Sequence, residues 1–169
     1  MGKIEITKKV LGICATNCYT VVDTETKEAL IIDPADRADV LIRDWKDKGV
    51  TPTTVLLTHG HFDHIGALAG VKKEYPEIRV YAAAEEKEVM ESPALNLSSS
   101  FGAAFTAQAD IYLEDDAEIE VLGRKCKCLL VPGHTKGGMC YYFPEESVVF
   151  TGDTLFCYSC LLYTSPSPR

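Results

Sequence analysis

Three of the chain's four histidines stand within six residues, and the apolar run Val55-Leu56-Leu57 leads directly into them. A short, continuously apolar run of this kind reads as a buried strand. The string that follows it is Thr58-His59-Gly60-His61-Phe62-Asp63-His64. Side chains at the C-terminal end of a strand are held rigidly while their loop can still bend. Gly60 permits a sharp turn, so that His59, His61, Asp63 and His64 can converge. Neutral imidazoles and a carboxylate are the ligands that zinc and similar divalent metals prefer. A solvated loop with chance histidines is the plain alternative, and with only four histidines in the chain it is the weaker one.

The fourth histidine, His134, lies in Val131-Pro132-Gly133-His134-Thr135, again behind an apolar strand. By itself a histidine in a Pro-Gly turn is a surface residue; with three imidazoles already gathered it becomes the natural fourth. Asp153 repeats the arrangement in Val148-Val149-Phe150-Thr151-Gly152-Asp153-Thr154. A strand, a glycine and a ligand-type side chain thus recur three times, which favours one shared site.

Around these strings the pattern predicts strands over 4–10, 17–23 and 29–33, the last two forming a hairpin across the polar turn 24–28. A helix is expected from an Asp36 N-cap to about Lys48, with Val40, Leu41 and Trp45 on one face. Strand 54–58, a helix over about 65–75, strand 78–82 and a helix over 83–90 follow. Residues 97–102 read as a polar surface loop. Five short strands are then expected at 110–113, 118–122, 125–131, 139–143 and 147–151. Such an order suggests an α/β fold in which helices cover sheets.

Composition narrows the function. At 169 residues and 46% hydrophobic, the chain fits one globular domain, and no apolar run approaches the ~20 residues of a membrane helix. A net charge of −8 argues against a nucleic-acid partner. The opening Met1-Gly2-Lys3-Ile4-Glu5-Ile6 has no apolar core of a secretory signal, and an odd seven cysteines read as reduced thiols, so a cytoplasmic location is expected. Cys126 and Cys128 share one face of a strand as small apolar fillers. Cys157-x-x-Cys160 has a redox or zinc spacing but no second pair to accompany it.

Taken in order, Thr58 to His64 resembles the H-x-H-x-D-H signature of the metallo-β-lactamase-fold hydrolases, with Pro132-Gly133-His134-Thr135 and Gly152-Asp153-Thr154-Leu155-Phe156 as its sequels. Asn17-Cys18-Tyr19 and Ile31-Ile32-Asp33-Pro34 look like the opening hairpin of that family. The resemblance runs over about 4–156 and is strongest to the short glyoxalase II-like (hydroxyacylglutathione hydrolase-like) proteins. It implies an αββα sandwich with a binuclear metal site, Zn2+ in the first instance and Fe or Mn as further possibilities. By the family's pattern His59, His61 and His134 would hold one metal, Asp63 and His64 the other, and Asp153 would bridge them. Asp33 would orient a ligand histidine. The implied chemistry is a metal-bound hydroxide, with Asp63 beside it, attacking a small thioester whose thiolate leaves readily.

The pattern breaks after Phe156. Relatives continue with a substrate loop and a further metal-ligating histidine. Here residues 157–169 are rich in Ser, Pro and Cys, carry no charge before Arg169, and contain no histidine. We read 1–156 as a partial domain and 157–169 as a tail foreign to it, with a genuinely shorter family member as the alternative. Two rival readings of function stay open: a persulfide dioxygenase-type mono-iron enzyme of the same fold, and a non-catalytic truncated fragment. The acyl group, the thiol carrier and the oligomeric state are not written in the sequence.

Overall fold

The computed structural model describes residues 2–156 and the backbone of Ser159–Cys160. Ten strands build two sheets: β1 (Ile4–Leu11), β2 (Thr16–Asp23), β3 (Glu28–Ile32), β4 (Thr51–Leu56), β5 (Arg79–Ala83) and β6 (Ile111–Leu113) in the first, then β7 (Ala117–Val121), β8 (Arg124–Leu130), β9 (Met139–Phe143) and β10 (Val148–Phe150) in the second. The first sheet runs β1-β2-β3-β4-β5-β6, antiparallel through β3 and parallel from there on. The second is antiparallel in the order β10-β9-β8-β7. A two-residue ladder pairs Leu155–Phe156 with Ser159–Cys160. The side chains of Cys157 and Cys160, and the rest of the expected foreign tail, lie outside the described residues.

Alternation along the central strands explains why they are apolar throughout. Ala29 and Ile31 of β3, with Val55 of β4 and Leu57 behind it, pack among Leu41, Trp45, Leu68 and Val71 on the helical side. Leu30, Ile32 and Leu56 point the other way, onto Met139, Tyr141, Cys126 and Cys128 of the second sheet. Both faces of these central strands are therefore buried, as parallel strands require. Cys126 and Cys128 are the buried fillers expected of them, both fully inaccessible. The layers run helix, sheet, sheet, an α/β sandwich as expected, and the second helical layer of the expected αββα order is not found among the described residues. The strands match the expected ones to within three residues at each end.

Helix boundaries differ more. Helix α1 (Ala38–Asp47) is entered through Arg37, whose left-handed φ of 54° makes it the cap. Asp36, expected there, instead accepts the Arg37 N–H at 2.6 Å, one residue too early to reach the first turn. The helix expected over 65–75 is two pieces, α2 (Phe62–Ile65) and α3 (Leu68–Glu74). Between them the Ala67 N–H turns away to the Pro34 carbonyl at 2.9 Å, and a Cβ at Gly66 would run into the carbonyl of Ala35. Strand β5 continues to Ala83, where a helix start was expected; a 3-10 turn over Ala84–Glu86 then leads into α4 (Lys87–Glu91).

Candidate metal centre

Four strand ends deliver the predicted side chains to one place. Asp33 follows β3, the string from Thr58 to His64 follows β4, His134 follows β8 and Asp153 follows β10. The two sheets are tied at this edge by the Met139 N–H, which donates to the Thr58 carbonyl at 2.8 Å. Gly152, at a φ of +49°, lets the Asp153 turn press against the Thr58 side chain, where any Cβ would overlap it.

Two groups of ligand-type atoms result, each within 4.8 Å of one another: His59 with His61 and His134, and His59 with His64 and Asp153. His61 Nδ1 and His134 Nε2 are 2.9 Å apart. Asp153 stands between the groups, 3.4 Å from His64 Nε2 through Oδ1 and 3.6 Å from His134 Nε2 through Oδ2. Asp63 reaches His64 Nε2 at 3.6 Å and is held by the Thr16 hydroxyl, which donates to Oδ2 at 2.6 Å. Five of the six residues expected at the site fall in these two groups, Asp63 borders them through its contact with His64, and Asp33 lies directly beneath.

The hydrogen bonds below the cluster set the ring tautomers. Asp33, 2% exposed, accepts the Thr58 N–H at 2.7 Å and the Thr58 hydroxyl at 2.6 Å. Its Oδ2 also accepts the His64 Nδ1–H at 2.9 Å. With its proton given to Asp33, the Thr58 hydroxyl can only accept from His59 Nδ1, 3.2 Å away. In the neutral rings this leaves Nε2 as the free ligand atom of both histidines, and His59 Nε2 and His64 Nε2 are buried with no hydrogen-bond partner. Buried polar atoms are rarely left unpaired. Two imidazole nitrogens without hydrogen bonds, aimed into a cluster of carboxylates and further imidazoles, fit a divalent cation of the zinc class. Asp33 holds a left-handed φ of 49° to make these bonds, a local strain of the kind that gathers at functional sites.

Electrostatics within the cluster follow from burial and neighbours. Burial, aided by the other imidazoles, holds His59 well below the usual histidine range. Burial and then His134 bring His61 down to about 4. Burial also works against charge on His64, but Asp33, Asp153 and Asp63 outweigh it and push the ring up to about 10, so a cation binding at Nε2 would displace a proton. Asp153 is buried too, yet the close contact and opposite charge of His64 hold its carboxyl below the ordinary value. A cleft of about 600 Å³ opens onto His61 and His134, walled by Val89, Leu95 and Pro132 and rimmed by Glu85, Glu88 and Lys136.

Sequence reasoning missed Thr16, Thr58 and Glu86. The first two are hydroxyls that read as ordinary strand residues. Glu86 shares a buried stripe with Ala83 and Met90, and a glutamate on an apolar face was the available signal.

Residues 11–167 match the family described as the Metallo-beta-lactamase superfamily. The chain is 36% identical over 148 residues to the probable metallo-hydrolase YqgX of Bacillus subtilis, covering 86% of this chain and 69% of that protein. It is 30% identical to a hydroxyacylglutathione hydrolase of Synechococcus, with 84% of this chain covered but only 51% of that enzyme. The chain thus spans about half the length of that relative. Among solved structures, the BLEG-1 B3 metallo-beta-lactamase superposes with a TM-score of 0.86 at 37% identity, over 92% of this chain and 75% of that one. Among the described residues, no helix is long and apolar enough to cross a membrane.

Proposed function

The chain belongs to the metallo-beta-lactamase superfamily, and from that premise we propose that it is a cytoplasmic metal-dependent hydrolase of small thioesters. The carrying observation is the pair of buried Nε2 atoms on His59 and His64, neither with a hydrogen bond, set among His61, His134, Asp63 and Asp153. His59, His61 and His134 would hold one cation, Asp63 and His64 a second, and Asp153 would stand between them. A divalent cation there supplies Lewis acidity, lowering the pKa of water and polarising a carbonyl.

The chain's own residues do the rest. Asp33 and Thr58 keep the two histidine rings in the tautomer that presents Nε2. Thr16 fixes the carboxylate of Asp63. Val89, Leu95 and Pro132 offer an apolar wall on which an acyl group can lie with its carbonyl toward His61 and His134. A thioester suits this site because a thiolate departs without help from a strong general acid. The hydroxyacylglutathione hydrolase relative supports that substrate class.

The test is elemental analysis of purified protein followed by thiol release from an S-acylglutathione and an S-acyl-N-acetylcysteamine. Two metals per chain and hydrolysis abolished by a chelator are expected. Protein with bound metal that cleaves neither ester but consumes oxygen with a glutathione persulfide would replace this reading with the mono-iron one. Metal-free, inert protein would overturn both.

A further inference from the structure

Glu86 is fully buried at the end of the 3-10 turn before α4, and it makes no ion pair among the described residues. Its two carboxylate oxygens are divided between the two histidine loops. Oε2 accepts the N–H of Gly60 at 2.6 Å, and Oε1 accepts the N–H of Gly137 at 2.8 Å. Gly60 sits between His59 and His61; Gly137 lies three residues beyond His134. One side chain therefore bridges backbone segments that belong to different sheets.

Packing around it leaves no slack. A Cβ on Gly60 would stand 3.0 Å from Glu86 Oε2 and 2.8 Å from Met90 Cγ. A Cβ on Gly137 would stand 2.8 Å from Glu86 Cγ and 2.8 Å from its backbone nitrogen. Both loops have closed onto the glutamate as far as a bare backbone allows. A buried carboxylate held only by two neutral N–H groups is costly to desolvate, and an apolar side chain of its size would avoid that cost. What an apolar side chain could not do is accept from both loops at once.

We infer that Glu86 is a positioning residue that sets the spacing of His61 and His134, and so tunes the metal affinity of the His59, His61 and His134 group. The inference rests on the metal-centre reading above. It needs no contact between Glu86 and the ion, because the carboxylate acts on backbone either side of the ligands. Groups that orient metal ligands from outside change affinity by about 10- to 100-fold when altered, and Glu86 acts in that way through the backbone that carries the ligands.

The experiment compares wild-type protein with Glu86→Gln, and with Trp45→Phe as a core perturbation remote from both loops. Glutamine keeps the volume but has one acceptor oxygen, so one of the two glycine N–H groups must face an NH2. Urea unfolding establishes that each variant is folded. Zinc affinity is read by chelator competition, and amide exchange at Gly60 and Gly137 is read in metal-free protein. We expect Glu86→Gln to bind zinc about 10- to 100-fold more weakly, with one glycine amide exchanging about tenfold faster or more. Trp45→Phe should lose stability and keep its zinc affinity. Unchanged zinc affinity in Glu86→Gln overturns the inference, as does fast exchange of both amides in wild type. Wild-type protein that takes up no zinc overturns the metal-centre reading instead, and exchange alone then decides whether Glu86 joins the loops.

Discussion

Replacing Asp33 by asparagine separates metal binding from folding more cleanly than any change to a ligand. Asp33 receives three hydrogen bonds: two from Thr58, at 2.7 and 2.6 Å, and one from His64 at 2.9 Å. At about 1.5–3 kcal/mol for each bond to a charged group, deleting the side chain forfeits roughly 5–9 kcal/mol. That is comparable with the whole stability of a typical domain, about 5–15 kcal/mol, so Asp33→Ala should not fold. Asparagine behaves differently because the network can reverse its polarity. Its oxygen still accepts the Thr58 N–H, while its NH2, in the place of Oδ2, donates to the Thr58 hydroxyl and to His64 Nδ1. The folding cost is then about 1–3 kcal/mol. His64 Nδ1, now an acceptor, forces the proton onto Nε2, the atom that faces the cluster. Zinc affinity should fall about 10- to 100-fold, or ~1.4–2.7 kcal/mol. Chelator competition reads the affinity, urea unfolding the stability, and nitrogen chemical shifts of His64 the tautomer. A folded Asp33→Asn protein that binds zinc within twofold of wild type would refute the tautomer argument.

Two further outcomes test the frame around the site. Tyr141 is fully buried and donates its hydroxyl to the Leu57 carbonyl at 2.7 Å, joining β9 to the end of β4. Tyr141→Phe should cost about 1–3 kcal/mol in urea unfolding, because that buried carbonyl loses its donor, with zinc affinity unchanged; a cost near zero would mean the carbonyl finds another partner. Burial pushes the Cys18 thiol from 9.0 up to about 12. Since the folded value is the higher one, its contribution to stability is whole below pH 9 and is lost as pH rises from 9 towards 12. Alkylation at pH 8 with peptide mapping should mark exposed Cys14 and spare Cys18, and equal labelling would contradict the burial that raises Cys18.

Legibility in the sequence followed the range of the interaction. Strands β3 and β4 could be read because their burial on two faces is written into consecutive residues, Ala29 to Ile32 and Val55 to Leu57. Helix starts were less readable because they were decided by distant groups. Asp36 is a good capping residue by type, yet the left-handed turn at Arg37 takes it out of reach. The break at Gly66 answers to the carbonyls of Pro34 and Ala35, some thirty residues away. Neither partner leaves a mark on the local pattern.

The same distinction divides the site itself. Ligand-type residues announce themselves, because histidines are scarce in this chain and their positions behind strands repeat. The groups that make those residues usable carry no such signature. Thr58 works through a proton it gives to Asp33, which leaves its oxygen free to receive one from His59. Glu86 works through two glycine amides that are 77 residues apart in the chain and meet only when the sheets close. Neither residue type marks a metal centre by itself, and their roles exist only in the folded arrangement. It follows that grafting the histidine string onto another strand end would reproduce the donor atoms without their tautomers or spacing. The affinity of the centre is a property of the joint between the two sheets, where Met139 meets Thr58 and Glu86 meets both loops.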